Sequence, residues 1–261
     1  GSGRRDPELA MIDVGQGDSI LLRDGGRAIL VDGGGWLNGD LGGRVLLPAL
    51  LAEGVRRLDA LVMTHPDRDH CSGLVDIAAY LPVDEVWTAP GWDLASCAGR
   101  LLAVPGVRTR FLAKGQRRTL GRWRLTVLHP EADDRHEVNE RSLVLLAEVR
   151  GRRVLLTGDI ESWAEHHLAD CCARFLRTDI LKVAHHGSRT SSTATFLDAA
   201  SPRLALISAG VDNLYHHPAP DVVERLEEHG ARILRTDRSG EILVRFQEDG
   251  RLRIETPGAP R

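Results

Sequence analysis

The stretch Thr64-His65-Pro66-Asp67-Arg68-Asp69-His70 holds four side chains that can bind a metal ion within six residues. It follows directly after the apolar run 58–63 (LDALVM), which predicts a buried strand. Pro66 has no amide donor and opposes helix at the residue before it, so we expect an irregular loop, from which Gly73 releases the chain into a helix over 74–80. Imidazole and carboxylate groups held together at a strand end predict a divalent-cation site. The alternative is a polar surface loop, which would not need the second set of acids and histidines that lies downstream.

Length and composition are those of an ordinary globular protein. The chain has 261 residues, of which 42% are hydrophobic and 27% charged, and no apolar stretch approaches the ~18 residues that cross a bilayer. The net charge of −3 excludes a general electrostatic attraction to nucleic acid. We expect residues 1–8 to be a cloning remnant or linker, 9–256 to form the folded domain and 257–261 to be a disordered tail.

The four cysteines do not have zinc-finger spacing. We do not expect the adjacent Cys171 and Cys172 to bridge each other, because neighbouring residues rarely reach disulfide geometry. A Cys71–Cys97 bridge and a fully reduced chain both remain open. Cys71 follows His70 and is either a small buried thiol or a contact to a soft metal.

An internal repeat predicts two similar β-rich halves. The units 19–32 and 142–159 each begin with Ser and an apolar run, turn at a Gly next to Arg, and end with an Asp beside Gly. Two such units, packed face to face, would bring their acid-bearing strand ends to one edge.

The pattern His65-x-Asp67-x-Asp69-His70 resembles the signature of the metallo-β-lactamase fold, with Asp in second place as in the ComEC competence proteins. Other stretches match in order: 13–19 (DVGQGDS), 31–34 (VDGG), 142–145 (SLVL), 156–159 (LTGD), 185–188 (HHGS) and 213–218 (NLYHHP). The resemblance implies an α/β fold, the αββα four-layer sandwich, and the internal repeat independently favours it.

The resemblance also implies a site for two divalent cations. His65 and Asp67 would bind one cation, Asp69 and His70 the other, and Asp159 would bridge them. The pair His185 and His186 would supply one more ligand; we favour His186, leaving His185 to contact a phosphate oxygen. Asp69, Asp159 and His185 would act most directly in catalysis.

Two positions depart from the family pattern. Asp67 stands where most relatives have His, and an oxygen ligand there favours Mn²⁺, with Mg²⁺ or Zn²⁺ as further possibilities. The third-motif His is not obvious. We favour Asn139 as the ligand, with His129 orienting a ligand or contacting substrate.

Other polar residues have both a functional and a plainer interpretation. Asp18 and Asp32 would orient ligands, or they are only turn formers in Gly-rich turns. Ser188 would bond a phosphate, or it belongs to the cap of the helix near Thr193. His217 and Asn213 lie in the element that matches the family's Gly-His-Pro segment, and we expect them at the substrate.

A basic segment has no acid within it. Its members are Arg108, Arg110, Lys114, Arg117, Arg118, Arg122 and Arg124. It is either a solvated strand-and-turn surface or a surface that follows phosphates, with Arg117 and Arg118 as the candidate DNA contacts.

The resemblance implies a metal-dependent phosphodiesterase (nuclease) that acts on DNA, expected to be single-stranded, and degrades the strand that is not imported during DNA uptake in natural competence. In the family the domain lies on the extracytoplasmic side of a bacterial inner-membrane protein, whose membrane-spanning channel domain this sequence lacks. We expect the domain to be monomeric. The alternatives are a hydrolase of small phosphodiesters or esters, similar to a phosphocholine esterase, and a non-catalytic nucleic-acid-binding module.

Overall fold

Apolar strands build two β-sheets in the computed structural model, which describes residues 5–35, 39–256 and 258. The strands are β1 (Glu8–Met11), β2 (Ile20–Asp24), β3 (Arg27–Val31), β4 (Leu58–Met63), β5 (Val83–Thr88), β6 (Arg108–Phe111), β7 (Arg117–Leu120), β8 (Trp123–His129), β9 (Val144–Val149), β10 (Arg152–Leu156), β11 (Ile180–Lys182), β12 (Leu204–Ile207), β13 (Arg232–Arg235), β14 (Ile242–Phe246) and β15 (Leu252–Glu255). Within the described residues, the first sheet has the order β15-β14-β1-β2-β3-β4-β5-β6 and the second the order β13-β12-β11-β10-β9-β8-β7.

The helices lie on the outer faces of the sheets. They are α1 (Leu47–Ala52), preceded by a π-helical turn (Gly42–Leu46), α2 (Arg68–Tyr80), α3 (Cys97–Leu102), α4 (Ser162–Leu176), α5 (Ala194–Ala200), α6 (Pro220–Glu228) and α7 (Thr236–Ser239), with 3-10 turns at Asn139–Arg141 and Ala184–Gly187. None of the helices in the described ranges combines the length and the apolar character needed to cross a bilayer.

Three apolar layers confirm the αββα sandwich. One lies between the sheets and includes Leu22, Val62 and Leu156. A second packs α1–α3 on the first sheet, and a third packs α4–α6 on the second. Burying apolar side chains in all three layers removes both faces of each sheet from water, and this burial is the main source of stability.

The predicted repeat is visible in the strand pairing. The antiparallel hairpin β2–β3 is followed by β4 parallel to β3, and the hairpin β9–β10 is followed by β11 parallel to β10. Asp32 comes just after β3 and Asp159 just after β10. The segments after β4 and β11 therefore leave the two sheets at corresponding places.

The expected loop after β4 is shorter than the sequence suggested. Helix α2 begins at Arg68, not near residue 74, so Asp69 and His70 lie in its first turn. Pro66 constrains only the residue before it, and the extended Asp67 serves as the N-cap. Gly73 lies inside the helix, and the position requires glycine because a Cβ there would be 1.9 Å from the carbonyl oxygen of Gly33.

Two disulfides are present among the described residues. Cys71 at α2 is bonded to Cys97 at the start of α3, which settles the choice that the sequence left open. Cys171 and Cys172 in α4 are also bonded, so the expectation that this adjacent pair stays unbridged was wrong. All neighbouring Cα atoms have this pair's spacing of 3.8 Å, so the bridge depends on the side-chain orientations on α4, which the sequence does not give.

The predicted domain limits are only partly visible. Strand β1 already begins at Glu8, within the expected linker. Residues 1–4, 257 and 259–261, which make up most of the rest of the predicted linker and tail, lie outside the described residues.

Candidate metal centre

Ligand-bearing segments converge where β4, β10 and β11 end. Nε2 of His70 lies 3.1 Å from Oδ2 of Asp159. Nε2 of His186 lies 3.4 Å from the same oxygen and 3.5 Å from Oδ2 of Asp69. Ligand atoms of His65, His70 and Asp159 lie within 4.8 Å of one another, as do those of Asp69, His70 and His186. The two groups therefore share His70, and Oδ2 of Asp159 lies close to both His70 and His186.

Three imidazole nitrogens point into this cluster, close to carboxylates but without a well-directed hydrogen bond. The Nε2 atoms of His65, His70 and His186 are buried and accept or donate no hydrogen bond within the described residues. Burying an unpaired polar atom is costly, so such atoms call for an explanation. Nitrogen and carboxylate oxygen together suit borderline and hard divalent cations. The residues present fit a metal centre.

The opposite nitrogen of each ring is held in place. Nδ1 of His70 lies 2.8 Å from Asp32, and Nδ1 of His186 lies 3.0 Å from the carbonyl oxygen of Ser208. The Thr64 hydroxyl donates to Asp32 at 2.7 Å and therefore accepts from Nδ1 of His65 at 3.1 Å. This network assigns a proton to each Nδ1, which leaves each Nε2 to face a cation. Asp32 thus contacts both Thr64 and the candidate ligand His70, and its role in orienting a ligand stays a prediction.

The buried histidines and carboxylates of the cluster shift one another's pKa values. Burial, together with His70, lowers the pKa of His65 to about 3. Burial alone would also lower the pKa of His70, but Asp159, Asp32 and Asp69 outweigh it and raise the pKa well above its usual value. Burial raises the pKa of Asp159, but His70, His186 and Lys182 more than reverse it. A bound cation would replace the Nε2 protons of the charged imidazoles as the partner of these carboxylates.

The histidine pair divides into two environments. His185, His186 and Gly187 have φ values of 49°, 55° and 82°, a left-handed run that turns consecutive side chains apart. His186 enters the cluster, whereas Nδ1 of His185 lies 3.1 Å from Glu161 and its Nε2 lies 3.9 Å from Asp159. Strained backbone of this kind persists where the surrounding structure fixes it, often at functional sites. A Cβ on Gly187 would lie 2.5 Å from Pro218, so only Gly fits there.

A model of the metallo-β-lactamase superfamily matches residues 12–211. The chain belongs to that superfamily. It is 35% identical to ComE operon protein 3 of Bacillus subtilis (strain 168), over 92% of this chain and 33% of the relative. It is also 35% identical to Competence protein ComA of Neisseria gonorrhoeae, over 87% of this chain and 30% of the relative. The chain spans about a third of the length of the curated relatives that it matches.

A solved structure has the same fold. CmlA, a diiron beta-hydroxylase from Streptomyces venezuelae, matches 93% of this chain and 55% of its own, with a TM-score of 0.62 and 18% identity. At this identity the match shows the fold alone. Family membership and the donor set together class the chain among metal-dependent hydrolases of the metallo-β-lactamase superfamily, and the predicted resemblance to competence proteins is confirmed.

Some predicted site residues surround the cluster of this metallo-β-lactamase domain without joining it. Asp67, half-exposed, lies 3.8 Å from Nε2 of His65 at the open side. Asn139 donates to Glu161 at 3.3 Å, and the same carboxylate oxygen lies 3.1 Å from Nδ1 of His185. His129 contacts the carbonyl oxygen of Glu140 at 2.6 Å, away from the ligand atoms. The roles given to Asp67, Asn139 and His129 stay predictions.

One side of the cluster is formed by the segment before α6, where His217 and Asn213 were expected to contact substrate. The ring of His217 lies 5.6 Å from that of His185 and 6.4 Å from that of His186. Asn213 donates to the carbonyl oxygen of His217 at 2.6 Å and so fixes the turn that carries it. Ser188 is buried and hydrogen-bonded to Thr190, and its predicted contact with a phosphate stays a prediction.

The basic segment lies elsewhere. Arg117 and Arg118 line a cavity of about 380 Å³ with Asp59 and Asp84, at the starts of β4 and β5. His65 follows the other end of β4, and a strand of six residues is about 20 Å long. These two arginines are thus placed away from the metal centre.

The rest of the segment is largely neutralised. Arg108 and Arg110 both pair with Glu85, Arg122 pairs with Asp24, and Lys114 with Glu131. The observation that no acid opposes the segment held only for the linear sequence, because the acids come from β5, from the β2–β3 hairpin and from the turn after β8. The interpretation as a solvated surface fits this arrangement better.

Sequence reasoning missed Lys182. Its side chain is buried, and its ammonium contacts Asp18 and lies 2.8 Å from the Gly158 carbonyl oxygen and 3.4 Å from Oδ1 of Asp159. Asp18 also lies 3.4 Å from Nδ1 of His186 and therefore supports the cluster. A lone Lys inside the apolar strand ILKVA was a usable signal, because a buried ammonium needs acidic partners.

Proposed function

We propose that this chain is a phosphodiesterase that binds two divalent cations, preferably Mn²⁺, and hydrolyses DNA. The observation that carries the proposal is the set of three buried Nε2 atoms at the carboxylate of Asp159. His65 and His70 form one group of donors with Asp159, and Asp67 lies 3.8 Å from Nε2 of His65. His186 lies 3.4 Å from Oδ2 of Asp159 and 3.5 Å from Asp69. A carboxylate between two donor groups is the arrangement that a two-cation hydrolase needs.

The chain's own residues would hold and orient the reacting groups. When bound, the cations would activate a water molecule and withdraw charge from a phosphoryl group. Asp159 and His70 fix the centre, and Asp32 and Ser208 keep the imidazoles turned toward it. His185, 23% exposed in its side chain, is directed to the open side and is assigned to a phosphoryl oxygen. His217 forms the adjacent wall.

DNA is the substrate that the comparisons favour. One relative is named Competence protein ComA, another ComE operon protein 3, and a third, from Haemophilus influenzae, Recombination protein 2. We assign to the chain the degradation of the strand that is not imported, as an extracytoplasmic domain of a bacterial inner-membrane protein. Single-stranded DNA is the expected substrate, and the channel-forming part of such a protein would be its partner.

The test is cleavage of single- and double-stranded oligonucleotides by metal-stripped protein resupplied with Mn²⁺, Mg²⁺ or Zn²⁺. We expect Asp159→Asn to abolish cleavage, whereas Asp198→Asn, at an exposed carboxylate on α5, should leave it unchanged. Cleavage of a small chromogenic phosphodiester but not of DNA would favour the small-substrate hydrolase. Binding of DNA without cleavage in any metal would favour the non-catalytic module.

A further inference from the structure

A groove of about 1040 Å³ opens beside the candidate ligands Asp67 and Asp69. One wall is the start of α2, another is α3 with the residues before it, and Tyr215 from the segment before α6 closes the third side. The groove is at the upper end of the roughly 300–1,000 Å³ of ordinary small-molecule pockets, and it begins at the candidate metal ligands. Its position suits a polymer whose reacting bond lies at the metal ions.

Two arginine side chains line this groove and are not neutralised by acids of the described residues. Arg68 and Arg100 are exposed, and within the described residues neither side chain forms a hydrogen bond or an ion pair. By contrast, most of the basic segment 108–124 is paired with acids. Asp76 also lines the groove, and its carboxylate accepts from the Gly42 amide. With Asp67 and Asp69 engaged by cations, the groove would attract negative charge.

An exposed aromatic side chain also lines the groove, together with the two arginines. Tyr215 is 52% exposed, and its neighbour Leu214 is 77% exposed. The Tyr215 ring lies 5.7 Å from that of His217, which is itself next to His185 and His186. Arginines that track a backbone, together with an aromatic ring for bases, are the features of surfaces that bind single strands.

Resting on the proposed function, we propose that single-stranded DNA lies in this groove, with Arg68 and Arg100 contacting phosphates and Tyr215 stacking on a base. This assignment replaces Arg117 and Arg118 as the DNA contacts. The disulfide between Cys71 and Cys97 joins the α2 and α3 walls and so fixes the distance between the two arginines.

The first test measures binding of a labelled single-stranded oligonucleotide by fluorescence anisotropy in Ca²⁺, with the oligonucleotide checked for integrity afterwards. Each phosphate contact adds about 0.7 to the salt slope, so the double variant Arg68→Gln with Arg100→Gln should lower the slope by about 1.4. The affinity lost between about 50 and 200 mM salt should then be about sevenfold smaller than for the parent. The matched control, Arg117→Gln with Arg118→Gln, has the same change in charge and should bind like the parent.

The second test concerns the ring. Stacking is worth about 1–3 kcal/mol per base, so Tyr215→Ala should weaken single-strand binding at least about fivefold, and Tyr215→Phe should restore it. Leu214→Ala, in the same segment, should have little effect. A smaller loss on duplex DNA would identify the contact as stacking on an unpaired base.

The outcomes distinguish the proposal that DNA binds in the groove from the proposal that the chain hydrolyses DNA. Loss of binding in the Arg68/Arg100 variant but not in the Arg117/Arg118 variant supports the groove, even if the parent cleaves no DNA. Parent-like binding by the Arg68/Arg100 variant overturns it, even if the parent is an active nuclease. A parent that does not bind single-stranded DNA at all contradicts both.

Discussion

Replacing Lys182 with Met tests whether one buried ammonium balances the charge of the candidate centre. Lys182 is 1% exposed and has two acidic partners, Asp18 and Asp159, which are 2% and 3% exposed. Met keeps a similar unbranched stem but removes the charge. Without cations bound, both carboxylates would lose a counter-charge while remaining buried.

The expected loss is large. Removing one partner of a buried ion pair typically costs about 3–5 kcal/mol, which corresponds to a fall in Tm of roughly 6–20 °C for a domain of this size. The loss should depend on pH. Burial raises the pKa of Asp159, but His70, His186 and Lys182 together lower it well below 3.8, so the stability it contributes is present above that value and is lost as the pH falls. Without Lys182 the pKa of Asp159 rises. The difference in the free energy of unfolding between variant and parent should therefore become smaller as the pH is lowered.

The assay is urea unfolding of chelator-treated protein at several pH values, with Lys114→Met as the control. Lys114 pairs with Glu131 at the surface, where such pairs contribute only about 0–1 kcal/mol. Adding Mn²⁺ should reduce the deficit of the Lys182 variant, because cations would neutralise the same carboxylates. If Lys182→Met is as stable as the parent at neutral pH without metal, the ammonium is not the required counter-charge.

Three further predictions follow from individual residues. Parent activity should be higher with Mn²⁺ than with Zn²⁺, and Asp67→His should shift the preference toward Zn²⁺ in metal-stripped protein; stronger Zn²⁺ activity in the parent would contradict the role of Asp67. Asp32→Asn should lower metal affinity about 10–100-fold by calorimetry, because Asp32 holds Thr64 and His70; unchanged affinity would argue against that role. Burial raises the pKa of Glu165 to about 7, so its stabilising effect is complete below pH 4.5 and is lost by about pH 7; Glu165→Gln should flatten this pH dependence of unfolding, and an equally steep dependence would count against it.

The sequence predicted the parts of the centre that depend on local order. The run from His65 to His70 carries four candidate ligands within six residues. The repeat that ends at Asp159 indicated which strand end of the second sheet would face that run. The start of α2 was misjudged because the packing of Gly73 against Gly33 is a contact between remote segments. Lys182 was missed for the same reason, and so were the acids that oppose the basic segment, since in both cases the acidic partners come from other parts of the chain.

The centre joins the two halves of the sandwich at one rim. His65, Asp67, Asp69 and His70 follow β4 in the first sheet, while Asp159 and His186 follow strands of the second. Elsewhere the two sheets are held together by non-directional contacts in an apolar layer. A metal ion bound by residues of both halves would add a direct link between the sheets, so the two halves should begin to separate at this rim when metal is withdrawn. The lifetime of the folded domain would then depend on the metal supply of its surroundings as well as on its own sequence.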